Sequence, residues 1–272
     1  MTRTGTRRDD HFADGHRSPP KGSGHALRGR PRGYHLAGRG TARKGHSPDT
    51  VPEAAGSGRH PLSVLLDSAS RGSFPPADGG VEVFGPPPGP SDAVVAFSSH
   101  NVVAGGVDPA EVHARLPRSD PGAPMDPSFL LWLGGRLGSG PGMLDLVLVE
   151  FGQSRTASTI LLVPRHDLAG HPRVERSIRY RTDVTAYSDE AGRGIVVLGR
   201  GLAGRREVSV EVDPAHRGIG LGRTMAAAAA TLVPTGEPLF AQVSPGNVAS
   251  VRAFLAAGYR TICSEVLFLR SR

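Results

Sequence analysis

The sequence predicts an α/β fold built on a mixed, mainly antiparallel central sheet, and two observations predict it. Three β-rich segments, SIRYRTDVTAYSD (177–189), GIVVLGRG (194–201) and REVSVEVDP (206–214), follow one another with only short turns at Gly192, Gly194, Gly201 and Gly204 between them, which reads as an antiparallel meander. Beyond the meander, helix and strand signals alternate, and the order β-β-β-α-β-α-β requires mixed strand directions.

The elements upstream are read in chain order. Residues 1–60 hold 12 Lys+Arg against 5 Asp+Glu, so they carry the whole net charge of +7, and residues 61–272 balance at 20 against 20. This segment also holds six of the eleven histidines, and its larger apolar residues are Met1, Phe12, Leu27, Tyr34, Leu36 and Val51. So few cannot offset the entropy of ordering the chain, and a disordered basic tail is expected through about Pro61. A domain of residues 61–272 is expected to follow. After FGPPPGP (84–90) the first apolar run is Ala93–Phe97. Asp108-Pro109 then opens AEVHARL as a helix with proline in its first turn, and a second helix covers Pro127–Leu137. MLDLVLVE (143–150) and STILLVP (158–164) read as strands. Past the meander come a helix over about Gly220–Leu232, a strand PLFAQV (238–243), a helix over Asn247–Ala257 and a strand ICSEVLFLR (262–270).

Composition narrows the function classes. One cysteine, Cys263, excludes an intramolecular disulfide framework and leaves no cysteine pair for zinc, so no metal is expected. No apolar run reaches the ~20 residues of a membrane span, and the start lacks the apolar core of a signal peptide. A cytoplasmic protein with no membrane partner is the expectation, with nucleic acid reachable only through the basic tail.

The most informative stretch is VDPAHRGIGLGRTMAAAAATL (212–232). Gly218, Gly220 and Gly222 alternate between a strand and a helix. Without Cβ atoms they let successive backbone N–H groups turn toward one point, and the helix adds its own unpaired amides and positive dipole end. Such a cradle suits phosphate or pyrophosphate, with Arg217 and Arg223 as charge partners. A Walker loop is excluded because Arg223 follows Gly222. A dinucleotide fingerprint is excluded because Met225 stands where its third glycine belongs. In SPGNVASVRAFLAAGYR (244–260), Asn247 is a good N-cap and Gly258 ends the helix, followed by Tyr259.

Taken together, the two stretches resemble the GNAT superfamily of acyl-CoA N-acyltransferases. Arg217, Gly220 and Gly222 fit its Arg/Gln-x-x-Gly-x-Gly/Ala hallmark, and Val212–Pro214 before it is also typical. Asn247, Ser250, Phe254, Gly258 and Tyr259 match the second motif. The resemblance covers residues 177–270 well and residues 61–176 poorly. It implies helices on both faces of the sheet and acetyl-CoA as acyl donor. The pyrophosphate would rest on the amides of Gly218, Ile219, Gly220, Leu221, Gly222 and Arg223, beside Arg217. The pantetheine arm would run along the edge from Val210 to Val212, next to Asn247.

The implied function is transfer of an acetyl group to a primary amine of a small molecule or peptide. The alternative is a CoA-binding module without catalysis. Two positions depart from the resembled pattern: Phe254 stands where many relatives keep a tyrosine acid, and Gln242 where one branch keeps a glutamate base. Amine acylation needs proton transfer and a stabilised oxyanion. In VSVEV, Ser209 and Glu211 lie on the strand face opposite Val208, Val210 and Val212. Glu211 is therefore the candidate acid–base residue, with an Arg-paired strand carboxylate as its structural alternative. Tyr259, Cys263, His216 and Ser244 are further groups near the motifs.

Overall fold

The structure is a computed structural model that describes residues 58–117, 120–154 and 158–271. The expected basic tail thus lies outside the described residues except at its end. The described residues fall in one compact unit, Ala55–Arg272. Its first half runs α1 (Pro61–Ser70), β1 (Val81–Phe84), β2 (Ser91–Phe97), β3 (His100–Ala104), α2 (Pro109–Arg115), α3 (Pro127–Leu137), β4 (Pro141–Phe151) and β5 (Leu162–Pro164). The second half runs α4 (Pro172–Tyr180), β6 (Thr182–Asp189), β7 (Gly194–Arg200), β8 (Arg206–Val212), α5 (Leu221–Ala229), β9 (Pro238–Val243), α6 (Val248–Ala256) and β10 (Arg260–Leu269).

All ten strands join one sheet in the order β1-β3-β2-β10-β4-β9-β8-β7-β6-β5. Only β1–β3 and β8–β9 pair in parallel, so the sheet is mixed and mainly antiparallel, as the meander implied. Side-chain alternation sorts the helices. Leu148, Val208 and Ala241 pack on Leu221, Met225 and Ala228 of α5 and on Phe254 of α6. Their neighbours Val147, Val149 and Phe240 face the other way, onto Leu62 and Leu66 of α1. Val197 meets Val174 of α4 on that second face. Helices therefore cover both faces.

Several segments differ from expectation. The sequence places strand from Ser177 onward, but α4 occupies Pro172–Tyr180 and strand begins at Thr182. His171 caps this helix by accepting from the Arg173 amide at 3.1 Å, and Pro172 starts its first turn. Val174 and Ser177 are its buried side. The helix α1 directly follows the tail and carries its own signals: His60 accepts from the Leu62 amide, Pro61 fills the first turn, and Leu62, Leu66 and Ala69 recur at helical spacing. The strands β1 and β3 are unanticipated, and only Leu162–Pro164 of the segment 158–164 is strand. The helix expected through Leu232 is α-helical to Ala229 and closes in a 3-10 turn over Ala230–Leu232.

Candidate functional site

The junction of β8 and β9 is where the fold opens. Two parallel strands held only by Glu207↔Phe240 and Val208↔Ala241 diverge beyond those pairs, although β8 continues to Val212 and β9 to Val243. On its other edge β9 stays fully paired to β4, from Pro238↔Phe151 to Val243↔Leu146. The gap holds a cavity of 540 Å³, within the usual range for a ligand site. Val210, Val243, Asn247, Ser250 and Phe254 line it from one face of the sheet. Asp145, Arg176, Tyr180, Ser209 and Gln242 line it from the other. The cavity therefore borders both faces of the sheet.

The helix α5 starts at the outer end of this gap. Gly218 and Gly220 take φ of 82° and 85°, the left-handed region that a Cβ disfavours. No side chain caps α5 at Gly220, and the first helical amide with a backbone acceptor is that of Thr224, bonded to Gly220 O at 3.2 Å. The amides of residues 218–223 find no partner among the described residues. A Cβ on Gly222 would touch Val212 at 3.5 Å and Ala253 at 3.8 Å, so this turn joins β8 and α6 closely. Ile219, Gly220 and Arg223 are exposed, while Leu221 is anchored in the core.

The predicted residues thus divide. Val210 and Asn247 line the cavity, and Asn247 is the N-cap of α6, its Oδ1 accepting from the Ser250 amide at 3.2 Å. Arg217 is turned back, donating from Nε to Val212 O at 3.0 Å, which ties down the loop. Glu211 is not part of the cavity lining. Its carboxylate accepts from Arg173 Nε at 2.8 Å in a half-exposed pair, the structural alternative for this residue. We expect Glu211→Gln to leave the pH dependence of any acyl transfer in place and to shift stability by about 0.5 kcal/mol or less; urea titration and a pH–rate series would check both. Tyr259 is a packing aromatic that donates to Ala226 O at 3.2 Å and meets Phe254 edge to face. Cys263 is buried in the α1-side core, and burial pushes its thiol up, away from reactivity. Of the remaining groups, Ser244 lines the cavity.

On the far side of the gap lies a buried ionic network. Glu207 accepts from Arg181 at 2.8 Å, Arg205 at 2.9 Å and the Leu202 amide at 3.2 Å. Arg205 also donates to Glu265 at 2.6 Å, and Arg181 reaches Ser209 at 3.3 Å and Gln242 at 3.0 Å. Burial opposes the charge on Glu207, but Arg205 and Arg181 outweigh it and hold its carboxyl below the ordinary range. For Glu265 burial wins over Arg205, and its carboxyl is raised. The Gln242 amide leans toward Glu265 without closing a hydrogen bond of standard geometry. This network sits where β8 and β9 part and fixes the branch point.

Asp145 is the group that sequence reading missed. It lies on β4 opposite Glu265, one residue past the β4–β9 ladder, and faces the cavity half-buried. Its side chain makes no hydrogen bond among the described residues. Burial and then Glu265 push its carboxyl up to about 6, against the opposing pull of Arg176 and Arg205. A carboxylate titrating there can take a proton near neutral pH. The signal in the sequence is a lone charge inside the apolar run MLDLVLV. Arg173 and Arg176 stand just before the segment read as strand, where no helix was expected. Among the described residues no group of three or more metal-ligating side chains gathers, and no helix is long and apolar enough to cross a membrane.

Fold and site together define a mixed α/β protein with a cleft between two splayed parallel strands and an open helix N-terminus at the cleft's outer end. No family model and no curated protein matches the sequence. Solved structures similar to the chain include an acetyltransferase from the GNAT family of Colwellia psychrerythraea, 13% identical over 52% of this chain and 61% of that one, with a TM-score of 0.33. A GCN5-related N-acetyltransferase from Kribbella flavida is 17% identical over 53% of this chain and 64% of that one, with a TM-score of 0.35. The alignments thus span less than two thirds of either solved chain. Both carry the name of the superfamily that the motifs resemble.

Proposed function

We infer that the chain is an N-acyltransferase that moves the acetyl group of acetyl-CoA to a primary amine, acting in the cytoplasm. The observation that carries this reading is the early divergence of β8 and β9. It leaves the backbone from Ser209 to Glu211 without a β9 partner on the side of the gap, the carbonyl of Val212 beyond it being taken by Arg217, and there an amide-bearing arm can add as a strand would. The diphosphate end of the donor meets the free amides of residues 218–223 and the positive end of α5, and Asn247 flanks the arm. The thioester then lies in the gap, and the amine approaches from the face of Asp145.

The reaction forms one C–N bond and breaks one C–S bond. Asp145 takes the proton that the ammonium sheds, the neutral amine attacks the thioester carbonyl, and the tetrahedral intermediate expels the thiolate. The second proton of the attacking nitrogen ends on that thiolate, directly or through water. Phe254 has no proton to give at this point, the one feature that favours a CoA-binding module without catalysis. Thiol release from acetyl-CoA, screened over amino acids, polyamines, aminoglycosides and peptide N-termini with the mass of the product, tests the reading. Saturable CoA binding with no thiol release from any amine would replace it with the binding module.

Gly222→Asp probes the donor end. The space at its Cβ is ordinary van der Waals contact, and a carboxylate in the first turn of a helix favours folding. The same charge opposes a diphosphate. We expect stability to hold or rise while the Kd for CoA, measured by calorimetry, weakens roughly 10- to 100-fold. Unchanged affinity would move the diphosphate off this turn.

A further inference from the structure

The charges around the acceptor side of the cavity cancel in pairs, with two left over. Glu207 pairs with Arg181, Arg205 is shared between Glu207 and Glu265, and the two terminal nitrogens of Arg181 donate to Ser209 and Gln242. Arg173 is held by Glu211. Asp145 and Arg176 both line the cavity, yet neither makes a hydrogen bond or ion pair among the described residues. They stand on different elements, β4 and α4, and feel each other's field without contact. A half-buried carboxylate with no donor calls for a cation, and the exposed guanidinium of Arg176 on the same lining is free to take an anion, for which its planar fork fits a carboxylate best.

We propose that the acceptor is a primary amine that also carries a carboxylate, an amino acid in the broad sense, with its ammonium on Asp145 and its carboxylate on Arg176. This rests on the acyl-transfer reading and deepens it. One molecule bearing both charges neutralises both leftover groups, whereas a plain amine leaves Arg176 without an anion and a polyamine brings a second cation toward it. The rest of the lining agrees. Tyr180 adds a polar phenol beside Arg176, and the Ser177 hydroxyl is already committed to Arg173 O at 2.8 Å. The walls of the cavity thus present one site for each sign of charge.

The test uses the full chain, acetyl-CoA and pairs of acceptors that differ by one carboxylate: glycine with methylamine, β-alanine with ethylamine, and γ-aminobutyrate with propylamine. Thiol release gives kcat/KM for each. At least one amino acid is expected to exceed its decarboxylated partner roughly tenfold or more, the scale of one charge-assisted pair. In Arg176→Gln that ratio is expected to fall toward one, chiefly through KM, and Arg176→Lys is expected to restore part of it. Equal turnover of both members of every pair, preference for the plain amines, or a ratio unmoved by Arg176→Gln would each overturn the acceptor class while leaving acyl transfer standing. Absence of thiol release with every amine would overturn acyl transfer and this proposal together.

Discussion

Arg205→Ala is expected to lower the stability of the fold by about 3–5 kcal/mol, the usual penalty for leaving buried charge uncompensated. The side chain of Arg205 is 3% exposed and is bonded to Glu207 and Glu265, whose side chains are 2% and 0% exposed. Glu207 would keep Arg181, but Glu265 would lose the only partner it has at good geometry among the described residues. The stack of Arg205 on the Phe240 ring, 5.3 Å from guanidinium to centroid, would go as well. A loss of that size is a large part of an ordinary domain's 5–15 kcal/mol, and urea unfolding followed by circular dichroism would measure it. Removing the arginine and its stranded partner together, Arg205→Met with Glu265→Leu, is expected to recover most of the loss, because a buried ion pair is worth little more than well-packed apolar side chains.

The pH dependence of this deficit has a definite sign. The Glu265 carboxyl is already raised by burial, and losing Arg205 raises it further. A carboxyl raised in the folded state stabilises the protonated fold, and that contribution disappears as pH climbs through the folded value. The deficit of Arg205→Ala is therefore expected to grow as pH rises. The effect reaches the site, because Glu207 is half of the two-pair ladder at which β8 and β9 separate. Loosening that ladder changes the width of the gap, so CoA affinity should weaken in the single variant and return in the double.

What the sequence discloses and what it conceals divide by the range of the interactions involved. The helices α2 and α3 and the strand β9 stand where local signals put them, because Asp108 and Asp126 cap the helices through their carboxylates and Pro109 and Pro127 start them. The glycine turn before α5 was legible for the same reason: positive φ at Gly218 and Gly220 is a property of those residues. Concealed was the placing of β4 between β9 and β10, strands that follow it by about ninety residues or more. No local propensity encodes that pairing, yet it alone sets Asp145 against Glu265 and beside the open end of β9. Likewise Arg205 and Glu265 meet across 60 positions of chain. The donor end of the site is made of consecutive residues and could be read. The acceptor end is made by sheet order and could not.

That difference bears on Asp145→Asn, for which we expect opposite changes in activity and stability. Groups facing Asp145 are Glu265 on β10, Glu207 on β8, Arg205 just before β8, and Arg176 on α4. As a base Asp145 works only when ionised, so the wild-type rate should be full above about pH 6 and fall as pH drops through that value. The amide cannot accept the proton, and we expect kcat to fall about 10²- to 10⁴-fold, with the acidic limb near pH 6 gone from what remains. Stability should move the other way. A carboxyl whose folded value is raised penalises the fold at neutral pH, because the ionised form is the less favoured one there. Asparagine removes that charge at nearly equal size, so the variant should be more stable at pH 7 by roughly 1 kcal/mol after allowance for partial exposure. The gain should shrink as pH falls from about 6 and vanish below about 4, where both states of the wild type bind the proton. A residue kept only for packing or charge balance would not lose activity while gaining stability. Full activity in a stabilised Asp145→Asn would remove Asp145 from the chemistry and leave the proton to water in the gap.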